Sequence, residues 1–149
     1  MRTEVRPVTS GDRIRGARDR RATLTVLWVF VTLNYVYCDV IAFMGRGYLK
    51  QLLSGTVGGI QMSRGFLLGA SILMEIPMAM ALLAWVLRPR ASRIASMLAG
   101  AVMTLVQAGS LMLGDPPTPS YWFFSAVEIA TTVFIVWYAW TWRAPDADG

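Results

Sequence analysis

The sequence predicts an all-α protein: an integral membrane four-helix bundle of up-down topology, with both termini on the cytoplasmic side. Three observations carry this reading. Of the 149 residues, 55% are hydrophobic and the mean hydropathy is +0.48, too apolar for an ordinary soluble domain of this size. Four apolar stretches each reach the about 20 residues a helix needs to cross ~30 Å of hydrocarbon. The basic residues are unevenly shared among the segments between those stretches, and that asymmetry sets orientation.

Residues 1–22 are polar and Arg-rich and have no apolar period. They hold seven of the 14 Lys+Arg, at positions 2, 6, 13, 15, 18, 20 and 21. Such a segment buries too little surface to offset its ordering entropy and is expected to be a flexible cytoplasmic tail. Arg20-Arg21 ahead of an apolar run resembles a twin-arginine signal. The run is as long as a full span, however, and no small-residue cleavage site follows it closely, so the pair reads as a positive-inside anchor. The first span covers residues 23–44. After it, Tyr48, Leu49, Leu52 and Leu53 recur at helical spacing around Lys50 and Gln51, predicting a short interfacial helix ahead of flexible Gly55, Gly58 and Gly59. A surface-lying connector is preferred there over a cap on the outer mouth.

The second span covers residues 65–87 and the third 94–113, with Arg88, Arg90 and Arg93 at their junction. Residues 114–120 carry no basic side chain. The fourth span covers 121–142, and Arg143 opens a short cytoplasmic tail, 143–149. The basic segments form one inside set, so the chain is expected to be a multi-pass protein of the cell inner (plasma) membrane with cytoplasmic N- and C-termini. Trp28, Trp85, Tyr121, Trp122, Trp140 and Trp142 lie near span ends, where amphipathic rings favour the headgroup level. The short second and third loops make the last three spans antiparallel neighbours.

The net charge of +5 therefore reads as topology rather than nucleic-acid binding. His is absent and Cys38 is the one cysteine. This excludes intrachain disulfides, CxxC redox chemistry, His-ligated metal or haem and any His-based triad. No catalytic residue, metal site or cofactor is called.

The informative residues are polar groups inside the spans. An acid at the bilayer centre costs ~2.5–3.5 kcal/mol on insertion scales, so Asp39, Glu75 and Glu128 demand a reason. Counted at ~1.5 Å per residue from the outer span ends, Asp39 lies about 8 Å deep, Gln107 about 9 Å, Glu128 about 10 Å, and Asn34 and Glu75 about 15 Å. Tyr121, Ser125, Glu128 and Thr132 form one stripe on the fourth span, and Ser96, Gly100, Thr104 and Gln107 form another on the third; both are expected to face the bundle. Ser71 aligns with Glu75, and Pro77 frees the Leu73 carbonyl and predicts a kink. Asn34 and Cys38 share one face of the first span, Tyr35 and Asp39 its neighbour.

These positions predict an acidic pocket open to the extracytoplasmic side. Glu75 forms its floor, Asp39, Gln107 and Glu128 lie nearer the mouth, and Asn34, Ser71 and Tyr35 line it. Arg46 and Arg64 are near enough to snorkel to an outer carboxylate. Glu75 is too deep for that and is expected to be protonated, bonded to an acceptor or held ready for a cation or proton. Gly65 and Gly69 form a GxxxG pair, which more often marks close packing within a bundle than dimerisation. Met74, Met78 and Met80 suit either an adaptable binding wall or core filling.

The strings LNYVYCDV (33–40), LLSGTVGGIQMSRGFLLGASILMEIPMAM (52–80) and EIATTVFIVWYAWTW (128–142) resemble a bacterial family of small four-span membrane proteins, domain of unknown function number 6326. The resemblance covers residues 23–142 and omits the Arg-rich tail. It implies the same four-span architecture and no activity. A looser likeness to the DoxX-like membrane proteins in size and span count is architectural only, because no redox motif accompanies it.

Three function classes compete. In the first, the pocket binds or transports a small cationic, lipophilic or proton-coupled ligand. Four spans are few for a carrier, so transport would require oligomerisation. The second is a structural or regulatory membrane subunit that docks a protein partner, its polar groups serving helix packing and its tail acting on anionic lipid. The third, an enzyme using paired carboxylates on a lipid-soluble substrate, lacks a nucleophile-and-base constellation and is the weakest. The partners expected are the lipid bilayer, such a ligand, and a second copy or another membrane protein, with no nucleic acid.

Overall fold

A computed structural model describes residues 10–113 and 116–142 of the chain. In chain order the elements are α1 (Ser10–Met44), α2 (Arg46–Leu53), β1 (Thr56–Val57), β2 (Ile60–Gln61), α3 (Arg64–Val86), α4 (Pro89–Ser110) and α5 (Pro119–Thr141). The protein is all-α apart from one small hairpin. Among the described residues, Ile14–Met44 of α1 and the whole of α3, α4 and α5 are long and apolar enough to cross a membrane.

The first departure from the sequence reading is at the start of α1. Residues 10–22, expected as flexible tail, are helix continuous with the first span; residues 1–9 lie outside the described residues. A preformed span spares the added turns the cost of nucleation, and tertiary contacts hold them. Ala17 packs against the core, the Arg20 guanidinium lies 5.1 Å from the Tyr138 ring centroid, and Arg21 Nη2 donates to the Leu87 carbonyl. At 35 residues, α1 is roughly 50 Å long and outreaches the hydrocarbon core.

The short helix expected after the first span is α2, and the glycines behind it form a hairpin rather than a loose linker. Val57 pairs with Ile60 across Gly58-Gly59, whose φ values of 55° and 78° are those of a two-residue turn matched to strand twist. Gly58 N–H donates to Gln51 Oε1 at 3.0 Å, tying the hairpin to α2.

The start of α3 is fixed by Ser63, whose hydroxyl accepts from Phe66 N–H at 3.2 Å, and that of α5 by Thr118, which accepts from Tyr121 N–H at 3.3 Å. Proline at the first helical position opens both α4 and α5. Pro89 starts the third span ahead of the expected residue 94, so Arg90 and Arg93 belong to the helix rather than to a loop.

The helices close into a ring in which α1 packs on α3 and α5, and α4 packs on α3 and α5. The α4/α5 interface is the most extensive. The core is made by Leu24, Trp28, Val31, Met80, Met103 and Ile135 with their neighbours. Lipid tails are as apolar as these side chains, so the bundle is held by dispersion and interhelical bonds rather than by water exclusion. Close approach of α4 to α5 depends on Gly100. A Cβ there would lie 2.8 Å from Val136 Cγ2 and 3.3 Å from the Thr132 carbonyl oxygen. Gly100→Ala is expected to lower stability by ~1–3 kcal/mol in reversible unfolding in mixed micelles. An unchanged midpoint would show that the two helices do not need this contact.

Candidate functional site

The polar stripes of α4 and α5 face one another. The buried face of α5 is Ser125, Glu128, Thr132, Ile135 and Ala139; that of α4 is Ser92, Ser96, Gly100, Met103 and Gln107. Three bonds join them. Gln107 Nε2 donates to Ser125 Oγ at 2.8 Å, Thr104 Oγ1 donates to Thr132 Oγ1 at 2.8 Å, and the Ser110 and Tyr121 hydroxyls lie 2.8 Å apart. These are packing bonds, each worth about 0.6 kcal/mol in a membrane. A Thr104→Val/Thr132→Val double-mutant cycle is expected to return a coupling below about 1 kcal/mol, read from unfolding midpoints.

The Glu128 side chain lies within this stripe. It is 1% exposed, and both Oε1 and Oε2 are buried without a hydrogen-bond partner among the described residues. Tyr35 and Cys38 of α1 are also buried, at 7% and 8% exposure. The Tyr35 hydroxyl is a second buried group without a partner. Tyr35, Cys38 and Asp39 of α1 lie within electrostatic range of Glu128. The Tyr35 hydroxyl and the Glu128 carboxyl are thus two buried polar groups without a bond among the described residues.

Tyr48 of α2 reaches toward the same end of the bundle and packs edge-on against Phe43, with ring centroids 5.8 Å apart. Burial foremost, then Asp39, Cys38 and Tyr121, push its phenol above the ordinary value, so it stays a neutral hydroxyl. No residue of α2 is fully buried, which suits a surface-lying connector.

The residues expected to share a pocket therefore divide. Glu128, Tyr35 and Asp39 come together, with Gln107 one turn away through Ser125, although Asp39 is itself exposed. Glu75 and Ser71 share a face as their spacing requires, but it is the exposed face of α3. The reason lies in the helix period. Pro77, Met80 and Ala84 form the buried face, and Glu75 is ~180° around the helix from Ala84. Glu75 is thus not the floor of an interior site. Asn34 Nδ2 donates to the Phe30 carbonyl of its own helix at 3.1 Å, and Ser71 Oγ donates to Leu67 at 2.8 Å. Ser125 and Cys38 were not singled out as site residues. The α5 stripe already contained Ser125, whereas nothing in the sequence distinguished Cys38 from a space-filling residue.

Among the described residues no three His, Cys, Asp or Glu side chains cluster to hold a metal ion. What the arrangement offers is a single buried acid. A bare carboxylate in a dry interior costs several kcal/mol, and the cost disappears when one positive charge, a proton or a monovalent cation, sits on it. A family model described as Family of unknown function (DUF6326) matches residues 14–148. No curated protein and no solved structure matches the chain.

Proposed function

We propose that this chain, which belongs to the family of unknown function DUF6326, binds a small, singly charged cation or amine at Glu128 in exchange for a proton. The observation that supports this reading is the Glu128 carboxyl, 1% exposed and without a partner for either oxygen among the described residues. One acid balances one charge, which favours a monovalent ligand over a divalent metal ion. Tyr35 supplies a hydroxyl able to donate to the carboxylate or to accept from an ammonium. Asp39, exposed near the end of α1, attracts cations to the site.

In this reading the α2 end faces the extracytoplasmic side of the inner membrane. The opposite end, with Arg20, Arg21, Arg88, Arg90 and Arg93, faces the cytoplasm together with both termini, because juxtamembrane Arg is retained inside. Cysteines placed at Lys50 and at Arg90 test the orientation. A membrane-impermeant maleimide applied to intact spheroplasts is expected to label position 50 and spare position 90, and the reverse pattern would invert the assignment. The exchange itself is tested in weakly buffered lipid nanodiscs by adding sodium, potassium, ethylamine or tetramethylammonium. About one proton released per protein with at least one of them supports the site. No release with any of the four, from pH 5 to 9, rejects it.

A further inference from the structure

We propose that the basic end of the bundle holds the phosphate of an anionic phospholipid headgroup among Arg20, Arg21 and Arg93. Three helix pairs bring these side chains to one level. Arg21 of α1 donates Nη2 to the Leu87 carbonyl at the end of α3. Arg93 of α4 donates Nη2 to the Trp140 carbonyl in the last turn of α5 at 3.3 Å. Arg20 lies over Tyr138, two residues before Trp140 on α5, and that face contact uses none of its N–H groups.

Helix capping accounts for part of this arrangement, since arginines favour the carbonyl-rich, negative ends of helices. It does not account for the rest. A guanidinium has five N–H donors, and capping consumes one donor on Arg21 and one on Arg93. Arg20 Nη1, Arg21 Nε and Arg93 Nε are buried donors without a partner among the described residues. None of the three residues is fully enclosed, so an acceptor can approach the remaining guanidinium N–H groups from outside. Three fixed cations short of acceptors call for an anion with several oxygens, and a phosphate is such a group.

The surroundings favour a lipid as the source. The described acid near this end is Asp19, which is exposed and whose backbone carbonyl accepts from Thr23 Oγ1. The positive end of the α4 dipole, starting at Pro89, adds to the field. Trp140, 69% exposed, occupies the position of an interfacial aromatic. A cationic cluster at the end of a membrane-crossing bundle sits at the level where headgroup phosphates are concentrated. This site lies at the opposite end from Glu128 and does not depend on the function proposed there.

The test compares the full chain in nanodiscs of phosphatidylcholine with and without phosphatidylglycerol, reading the melting temperature and the anionic lipid retained in native mass spectrometry. Phosphatidylglycerol is expected to raise the melting temperature, and Arg21→Gln/Arg93→Gln to reduce retention about tenfold. Arg15→Gln/Arg18→Gln removes the same charge from exposed positions and is expected to leave retention unchanged. Equal loss in the two double variants would mean a diffuse basic surface and overturn the site. Inorganic phosphate added to phosphatidylcholine discs forms the third arm; if it reproduces the whole stabilisation, the occupant is soluble phosphate and the lipid assignment fails. Should Arg21→Gln/Arg93→Gln not fold, the wild-type arms decide alone, because equal melting temperatures in both lipids overturn the proposal.

Discussion

Glu128→Gln is expected to abolish cation-dependent proton release in nanodiscs, while Glu75→Gln leaves it within error of the wild type. Both substitutions replace one carboxyl within a span by an amide, so composition changes alike, and the contrast isolates position. Glu128 is enclosed by α1, α4 and α5 and lies within electrostatic range of Tyr35, Cys38 and Asp39, whereas Glu75 looks outward from α3. Stability should move too. Glu128→Leu removes a group whose two oxygens have no partner among the described residues and is expected to stabilise the bundle by ~1–3 kcal/mol in reversible unfolding, since apolar replacement of an unsatisfied buried group removes its desolvation cost. A loss of stability would mean that the carboxyl has a bonding partner in the membrane and serves packing. If Glu75→Gln alone abolished proton release, the Glu128 reading would fail and the outward face of α3 would become the place to look.

The same two acids show what a single sequence discloses and what it does not. Depth is legible, because hydropathy locates the span ends and the helical rise does the rest; by that measure Glu75 at about 15 Å and Glu128 at about 10 Å both lie well within their spans. Facing is legible only where a helix carries a polar stripe. On α5, Ser125, Glu128 and Thr132 repeat at three and four among apolar residues, and that side is the buried one. On α3 the polar residues are too few to mark a side, since Ser71 and Glu75 lie on a helix whose apolar residues surround it. Small and adaptable side chains set its inward face instead, with Pro77, Met80 and Ala84 buried, and nothing about those residue types announces burial in a span where both faces are apolar. The helical state of residues 10–22 was hidden for a related reason. Local composition reads as an unanchored basic tail, and the contacts that anchor it, Arg20 on Tyr138 and Arg21 on Leu87, join residues remote in sequence.

A second large effect is expected at Trp28, which bears on whether the two halves of the bundle act independently. Trp28 is fully buried, and its indole N–H donates to Ser96 Oγ at 3.4 Å. It belongs to an apolar cluster with Leu24, Met80, Met103, Ile135 and Trp142, which fills the half of the bundle nearer the arginines. The half nearer α2 is polar and contains Glu128 and Tyr35. Trp28→Ala removes the largest fully buried side chain and is expected to cost about 3–5 kcal/mol, because dispersion contacts are lost and the helices cannot fully collapse onto the gap. Trp28→Phe retains most of the volume and gives up the weak bond to Ser96, so its cost should stay near 1 kcal/mol. Tyr35 bears on both halves, since its ring packs in the apolar cluster while its hydroxyl lies within electrostatic range of Glu128. Proton release by Trp28→Phe should therefore match the wild type, whereas Tyr35→Phe, equally conservative in shape, should weaken it by removing the hydroxyl beside Glu128. If Trp28→Phe suppressed release at a temperature where its helical circular dichroism is native, cation binding at Glu128 would have to be driven by packing in the apolar half, and a site defined by local chemistry alone would be ruled out.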